Sequence, residues 1–264
     1  MSDAHGKFVW YELLTTDRDA AAGFYGKVIG WSNEPFGNPE IGYHIFKTGN
    51  EFKTGNEPIG GVMTMPAEAC NEGARPGWIG FIAVDDVDAT AKRIGDAGGA
   101  VHRAPEDIPD VGRFAIVADP QGAVFALFKG RDCDHPAAPS PGTPGYTGWH
   151  ELMAGDWETV FPFYADLFGW TKGDAMDMGE MGTYQLFAWK GQPIGGMMTK
   201  FKEMPAPYWG FYFNVPDIRK ALETVTGTGG QVLNGPMQVP GGSWIIQCQD
   251  PQGVMFSLVQ PAPM

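Results

Sequence analysis

The chain has 264 residues, 43% hydrophobic and 19% charged, with a net charge of −13. That balance is globular and too apolar for disorder, and so acidic a surface argues against nucleic-acid and membrane partners. Three scattered cysteines, Cys70, Cys133 and Cys248, with no CxxC pair, argue against a disulfide framework or structural zinc.

Trp10 to Leu14 alternates Trp, Glu and Leu with Tyr and Leu, which predicts a strand. Asp17 suits a helix N-cap, Ala20, Phe24 and Val28 recur at four-residue spacing, and Gly30 can close the helix in the left-handed region. Strands are expected near 41–47 and 58–64. Between them "FKTGNEFKTGNE" (46–57) writes a six-residue unit twice and reads as a lengthened hairpin loop. "WIGFIAV" (78–84) is a further strand, and Val87, Ala91 and Ile94 mark one helix face. Two strands follow, the last entered through a "DPQG" turn. "GRDCDHPAAPSPGTPGY" (130–146) is dense enough in proline for an extended linker.

The pattern then starts again. "VWYELLTTD" (9–17) returns as "GWHELMAGD" (148–156), "FYGKVIGW" (24–31) as "FYADLFGW" (163–170), and "PIGGVMTM" (58–65) as "PIGGMMTK" (193–200). "DPQGAVFALF" (119–128) matches "DPQGVMFSLV" (250–259), and Ile218, Leu222 and Val225 repeat the second helix face. Conserved order over such a distance is a tandem duplication. The expectation is an α+β chain of four β-α-β-β-β units in two domains, 1–130 and 147–264, joined by a linker at 131–146. Pro162 falls inside the third unit's helix and predicts a late start or a kink there. The opening "MSDAHGKFVWYELL" shows no signal-peptide pattern and no apolar run approaches a membrane span, so a cytoplasmic protein is expected.

Four such units, with "FYxxxxGW" after the first helix and "GRFAIVADPQGAVFAL" at 112–127, resemble the vicinal oxygen chelate superfamily of glyoxalase I, bleomycin-resistance proteins and extradiol dioxygenases. The chain is similar within it to two-copy glyoxalase-like proteins, some of which carry the name hydroxylase. The resemblance implies mixed sheets that curl into cups around a ligand. It also implies metal-ligand positions, held here by Trp10 and Trp149 on first strands, Ala126 and Ser257 on last strands, and Ile79 and Gly210. None of these side chains is a metal ligand, so no metal cofactor is expected, with a divalent ion on His150, Glu12 and Glu151 as the alternative.

Strand alternation puts Trp10 with Glu12, and Trp149 with Glu151, on the inward face. Each carboxylate has three readings: a general base, a partner for a cation or a ligand N–H beside a flat indole, or a structural acceptor. Tyr43, Tyr184, Trp78, Trp209 and Trp244 are further candidate ligand-binding aromatics, each open to a core reading, and Arg113 could hold an anion or pair with a nearby Asp. Three functions follow. The first is a metal-free protein that binds a small organic ligand. The second is a glyoxalase- or isomerase-type lyase with Glu12 or Glu151 as base. The third is a scaffold with self-filled cups. A monomer acting as an internal pseudo-dimer and a homodimer both stay open, as does whether the first unit pairs with the second or with the fourth.

Overall fold

The computed structural model of the chain describes residues 2–49, 56–71, 73–131 and 140–263. The first quarter runs β1 (Phe8–Thr15), α1 (Arg18–Ile29), β2 (Ser32–Pro35), β3 (His44–Lys47) and β4 (Pro58–Thr64). A short helix, α2 (Ala67–Asn71), leads to the second: β5 (Gly77–Ala83), α3 (Val87–Asp96), β6 (Ala100–Ile108), β7 (Gly112–Ala118) and β8 (Val124–Gly130). The third is β9 (Thr147–Ala154), α4 (Trp157–Phe168), β10 (Thr171–Asp177), β11 (Thr183–Trp189) and β12 (Gln192–Thr199). The fourth is β13 (Tyr208–Asn214), α5 (Ile218–Gly227), β14 (Gln231–Gln238), β15 (Trp244–Gln249) and β16 (Met255–Gln260). The chain is an α+β protein of four β-α-β-β-β units, the second pair repeating the first.

Within the quarters the strands lie in the orders β2-β3-β4-β1, β5-β8-β7-β6, β10-β11-β12-β9 and β13-β16-β15-β14. The first and last strands of each quarter are parallel and the hairpins antiparallel, so the sheets are mixed. Asp17 caps α1 by accepting from the Ala20 amide, and Gly30 ends it at φ 84°. Phe24 and Val28 are buried as expected, but Ala20 is exposed and Ala21 takes the inward place. α3 buries Val87, Ala91 and Ile94, and α5 buries Ile218 and Val225, with Ala221 in place of Leu222. All four residues of β2 are exposed, so no alternation announced it. Asp156 caps α4 at its first turn, and the helix runs from Trp157 through Pro162, which overturns the expected late start. Residues 50–55 of the doubled hairpin and 132–139 of the linker lie outside the described residues. No helix among the described residues is long and apolar enough to cross a membrane.

The chain forms two compact units, each drawing on both copies. One consists of Met1–Val9, Ile79–Ala138 and Trp149–Trp209, the other of Trp10–Trp78, Pro139–Gly148 and Gly210–Met264. Their cores repeat one device. In the first, the Tyr164 hydroxyl donates to Asp119 Oδ2 at 2.9 Å and the Trp209 indole N–H donates to Tyr164 at 3.2 Å. In the second, Tyr25 donates to Asp250 Oδ2 at 3.1 Å and Trp78 donates to Tyr25 at 3.1 Å. Oδ1 of each aspartate takes two turn amides, Gln121 and Ala123 or Gln252 and Val254. The two motifs noted in the sequence thus meet: the tyrosine of "FYxxxxGW" satisfies the aspartate of "DPQG" inside the core. The closing tryptophans are buried as well, Trp31 donating to the Gly145 carbonyl at 2.8 Å and Trp170 to that of Gly6 at 2.7 Å.

Candidate functional site

β1 carries Trp10-x-Glu12 and β9 carries Trp149-x-Glu151, with Leu13 and Leu152 fully buried beside them. Glu12 is in register with Gly61 of β4, and Glu151 with Gly196 of β12. These are the second glycines of the two "IGG" runs, and each is the seat of a tyrosine. A Cβ at Gly61 would overlap the Tyr43 ring and hydroxyl, and one at Gly196 would overlap the Tyr184 ring. The Trp10 indole donates to the Tyr43 hydroxyl at 3.0 Å, and Trp149 to the Tyr184 hydroxyl at 2.8 Å. Tyr184 then donates to Glu151 Oε1 at 3.0 Å, and Tyr43 is likewise bonded to Glu12. An indole N–H can only donate, so each phenol oxygen accepts from Trp and its hydrogen goes to the carboxylate. Burial, and then the carboxylate charge, pushes the pKa of both tyrosines up, which keeps the donating hydrogen in place.

A Trp–Tyr–Glu relay is therefore built twice. The sequence singled out all six residues but not their connection. It missed Tyr208, whose pKa burial and then the charge of Glu151 push up to about 12. Copy one has Gly77 at that place, so the repeat gave no signal for it.

His150 is buried and stands on the strand face opposite Glu151. It stacks on Phe8 with ring centroids 4.2 Å apart, and its Nδ1 donates to the Ile194 carbonyl at 2.6 Å. Burial lowers its pKa to about 4, against a partial opposite effect of that bond. The sign of the linkage follows. Between about pH 6.5 and 4 the unfolded chain binds a proton that the folded one refuses, so stability falls as pH falls through that window. At about 1.4 kcal/mol per unit the loss reaches about 3 kcal/mol. Urea titrations of the wild type and His150→Gln at pH 7 and pH 4.5 should show a smaller acid loss in the variant; equal losses would refute the assignment.

The other candidates lie elsewhere. Trp78 and Trp209 serve the buried tyrosines Tyr25 and Tyr164, which is their core reading. Arg113 is engaged by Asp88 at 2.6 and 2.8 Å and Asp107 at 3.0 Å at the surface, which is its ion-pair reading. Trp244 is half-buried at a shallow depression of about 310 Å³ with Pro216, Asp217, Ile218, Arg219 and Gln260.

Among the described residues no three His, Cys, Asp or Glu side chains gather closely enough to hold a metal ion. His150 and Glu151 point away from each other, and Ala126, Ser257, Ile79 and Gly210 supply no ligand of the usual kind.

Comparison with known proteins agrees with this architecture. The model of the Glyoxalase/Bleomycin resistance protein/Dioxygenase superfamily matches residues 7–127 and 146–258, one segment per copy. The chain is 32% identical over 261 residues to the putative glyoxylase CFP32 of Mycobacterium tuberculosis, covering 96% of this chain and 94% of that one. It is 29% identical over 263 residues to the anthracycline biosynthesis protein DnrV of Streptomyces peucetius, covering 97% and 94%. Among solved structures it resembles a Mn(II)-bound glyoxalase from Novosphingobium aromaticivorans, at 14% identity, TM-score 0.66 and coverage of 98% and 83%. An extradiol ring-cleaving dioxygenase from B. fuscum gives 15%, 0.66, 97% and 72%. At such identities the structural likeness speaks for the fold alone.

Proposed function

The chain belongs to the Glyoxalase/Bleomycin resistance protein/Dioxygenase superfamily, and we propose that it acts there as a metal-independent binding protein for a small organic molecule. The observation that carries this reading is the twice-built Trp–Tyr–Glu relay. A carboxylate whose position is fixed by a tyrosine presents a directed acceptor for a ligand N–H, O–H or cationic group. The half-buried indole beside it offers a flat surface for the body of such a ligand. The acidic surface disfavours anionic ligands and nucleic acid.

The test is a small-molecule thermal-shift screen followed by titration of tryptophan fluorescence, with Glu12→Gln, Glu151→Gln and the double variant. Hydrogen bonds to charged groups are worth about 1.5–3 kcal/mol, so affinity should fall about tenfold to a hundredfold at the copy that binds. A ligand bound equally by the wild type and the double variant would sink the reading.

A second reading has Glu12 or Glu151 as the general base of a glyoxalase- or isomerase-type lyase. It is supported by the name of the mycobacterial relative, a putative glyoxylase. Under it, the wild type turns over the hemithioacetal of methylglyoxal and a thiol, and the double Glu→Gln variant does not.

A further inference from the structure

The two copies differ on the helix side of the second and fourth quarters. In the second, Asp107 on β6 is in register with Arg113 on β7, and Arg113 with Lys129 on β8. In the fourth, Gln238 on β14 is in register with Trp244 on β15, and Trp244 with Gln260 on β16. Residues in register on adjacent strands share a face of the sheet. Asp88 and Arg219 correspond as well, since each is the second residue after its aspartate N-cap, Asp86 of α3 or Asp217 of α5. The Gln260 side chain accepts from the Ile218 amide at 2.9 Å, which turns this face toward α5. Gln247 and Ser257 stand three residues away along the same two strands and so face the other way.

In the second quarter the charged groups of this place neutralise one another. Arg113 donates to both carboxylate oxygens of Asp88, at 2.6 and 2.8 Å, and to Asp107 at 3.0 Å. In the fourth quarter that arginine is replaced by Trp244, and the two aspartates by Arg219 and Gln238. Trp244 and Arg219 now wall the depression of about 310 Å³. Among the described residues no ion pair, ring contact or side-chain hydrogen bond engages either of them. The fold alone does not call for this arrangement. A cation in the first turn of a helix is opposed by the helix dipole, and the first copy has the favourable acid there. A half-buried indole with no ring against it leaves flat apolar surface in water, where the first copy closes the same place with an ion pair.

We infer that the depression between Trp244 and Arg219 is a second binding site, confined to the second copy, for a flat aromatic carboxylate. The indole supplies a stacking face for the ring, and the guanidinium fork takes the carboxylate oxygens. Gln260 spends its oxygen on the Ile218 amide and keeps its Nε2 hydrogens to donate. The volume is at the lower end for small-molecule sites, which limits the ligand to one or two fused rings. The net charge of −13 opposes an anion at long range, but salt screens it beyond about 8 Å, so a guanidinium in contact decides the charge preferred. The site shares no residue with the Trp–Tyr–Glu relay and stands or falls apart from it.

The test uses the full chain with 2-naphthoate as probe and 2-naphthylmethanol as its uncharged counterpart. Binding is read by saturation-transfer NMR and by the Trp244 indole N–H resonance, which Trp244→Phe identifies by its absence. The wild type should bind 2-naphthoate saturably, with Kd in the millimolar range or tighter, shift the Trp244 resonance, and bind 2-naphthylmethanol about tenfold more weakly. Arg219→Gln should erase that preference, and it removes a cation that the helix disfavours, so the fold is spared. Trp244→Arg combined with Arg219→Asp installs the pair that the first copy makes from Arg113 and Asp88, and should abolish binding of both compounds. Absent saturable binding, an unmoved Trp244 resonance, equal affinity for the two compounds, or unchanged affinity in the variants overturns the inference. If Glu12→Gln with Glu151→Gln weakens 2-naphthoate and Arg219→Gln does not, the probe sits at the relay and the Trp244 site is refuted. The reverse result assigns the probe to the Trp244 site and says nothing against the relay.

Discussion

Replacing Tyr164 by Phe should cost about 3–5 kcal/mol of stability, although it deletes one oxygen atom and keeps the ring. The hydroxyl sits between two groups with no access to water. Asp119 is 2% exposed and Trp209 is 5% exposed. Without the hydroxyl, Asp119 Oδ2 loses a donor and the Trp209 indole N–H loses its acceptor. A hydrogen bond to a charged group contributes about 1.5–3 kcal/mol, and a buried donor left unpaired costs about 1–3 kcal/mol. The ring stacks on Trp170 at 5.4 Å and meets Trp209 edge-on at 5.5 Å, contacts that Phe preserves. The loss is therefore one of polar satisfaction rather than of packing. Urea denaturation of Tyr164→Phe, Trp209→Phe and the double variant checks it. Because both single changes break the same bond, their costs should fall well short of additive. A cost under about 1 kcal/mol for Tyr164→Phe would mean the hydroxyl is not holding the network.

That network was legible in the sequence as motifs and illegible as a connection. Duplication displayed Tyr25 with Tyr164 and Asp119 with Asp250, but Tyr25 and Asp250 are 225 positions apart, and no periodicity links them. Trp78 and Trp209 looked like wall residues because alternation along a strand separates two faces without saying which one faces the core. Trp10 and Tyr43 illustrate the opposite case. Both were singled out, and the second glycine of "IGG" was the available clue to their meeting, since a residue without Cβ opposite Glu12 leaves room for a ring. Tyr208, Tyr212 and Gln247 went unseen because the repeat highlights what the copies share, and Ser257 stood out only as a ligand position without a metal ligand. Copy one has Gly77, Phe81, Ala126 and Ile116 where copy two has Tyr208, Tyr212, Ser257 and Gln247, and only strand register aligns the last three into one row. The fold and the relay follow from residues that the copies share, whereas Tyr208 and Tyr212 lie among those that differ.

Gly196→Ala should dismantle the relay of the second copy from beneath. Its Cβ would occupy the space of the Tyr184 ring, so the ring must leave its seat or the strands must part. Overpacking of this kind costs about 1–3 kcal/mol. Displacing Tyr184 also takes the acceptor from the Trp149 indole and a donor from the buried Glu151, which adds about 1–3 kcal/mol. The expected total is about 4 kcal/mol, with the Trp149 indole N–H resonance moved upfield as its hydrogen bond is lost. Tyr184→Phe gives the comparison: it removes the same two bonds while leaving the ring on the glycine. Tyr184→Ala in the Gly196→Ala background gives the decisive arm. If the clash with the ring is what destabilises Gly196→Ala, emptying the seat should make the alanine nearly free, and the two substitutions should be strongly non-additive. If they add, the glycine is needed for its backbone and not as a seat. The relay would then owe its geometry to something other than the "IGG" run. The same logic at Gly61 and Tyr43 tests the first copy, where the carboxylate is half-buried rather than buried and the polar part of the cost should be smaller.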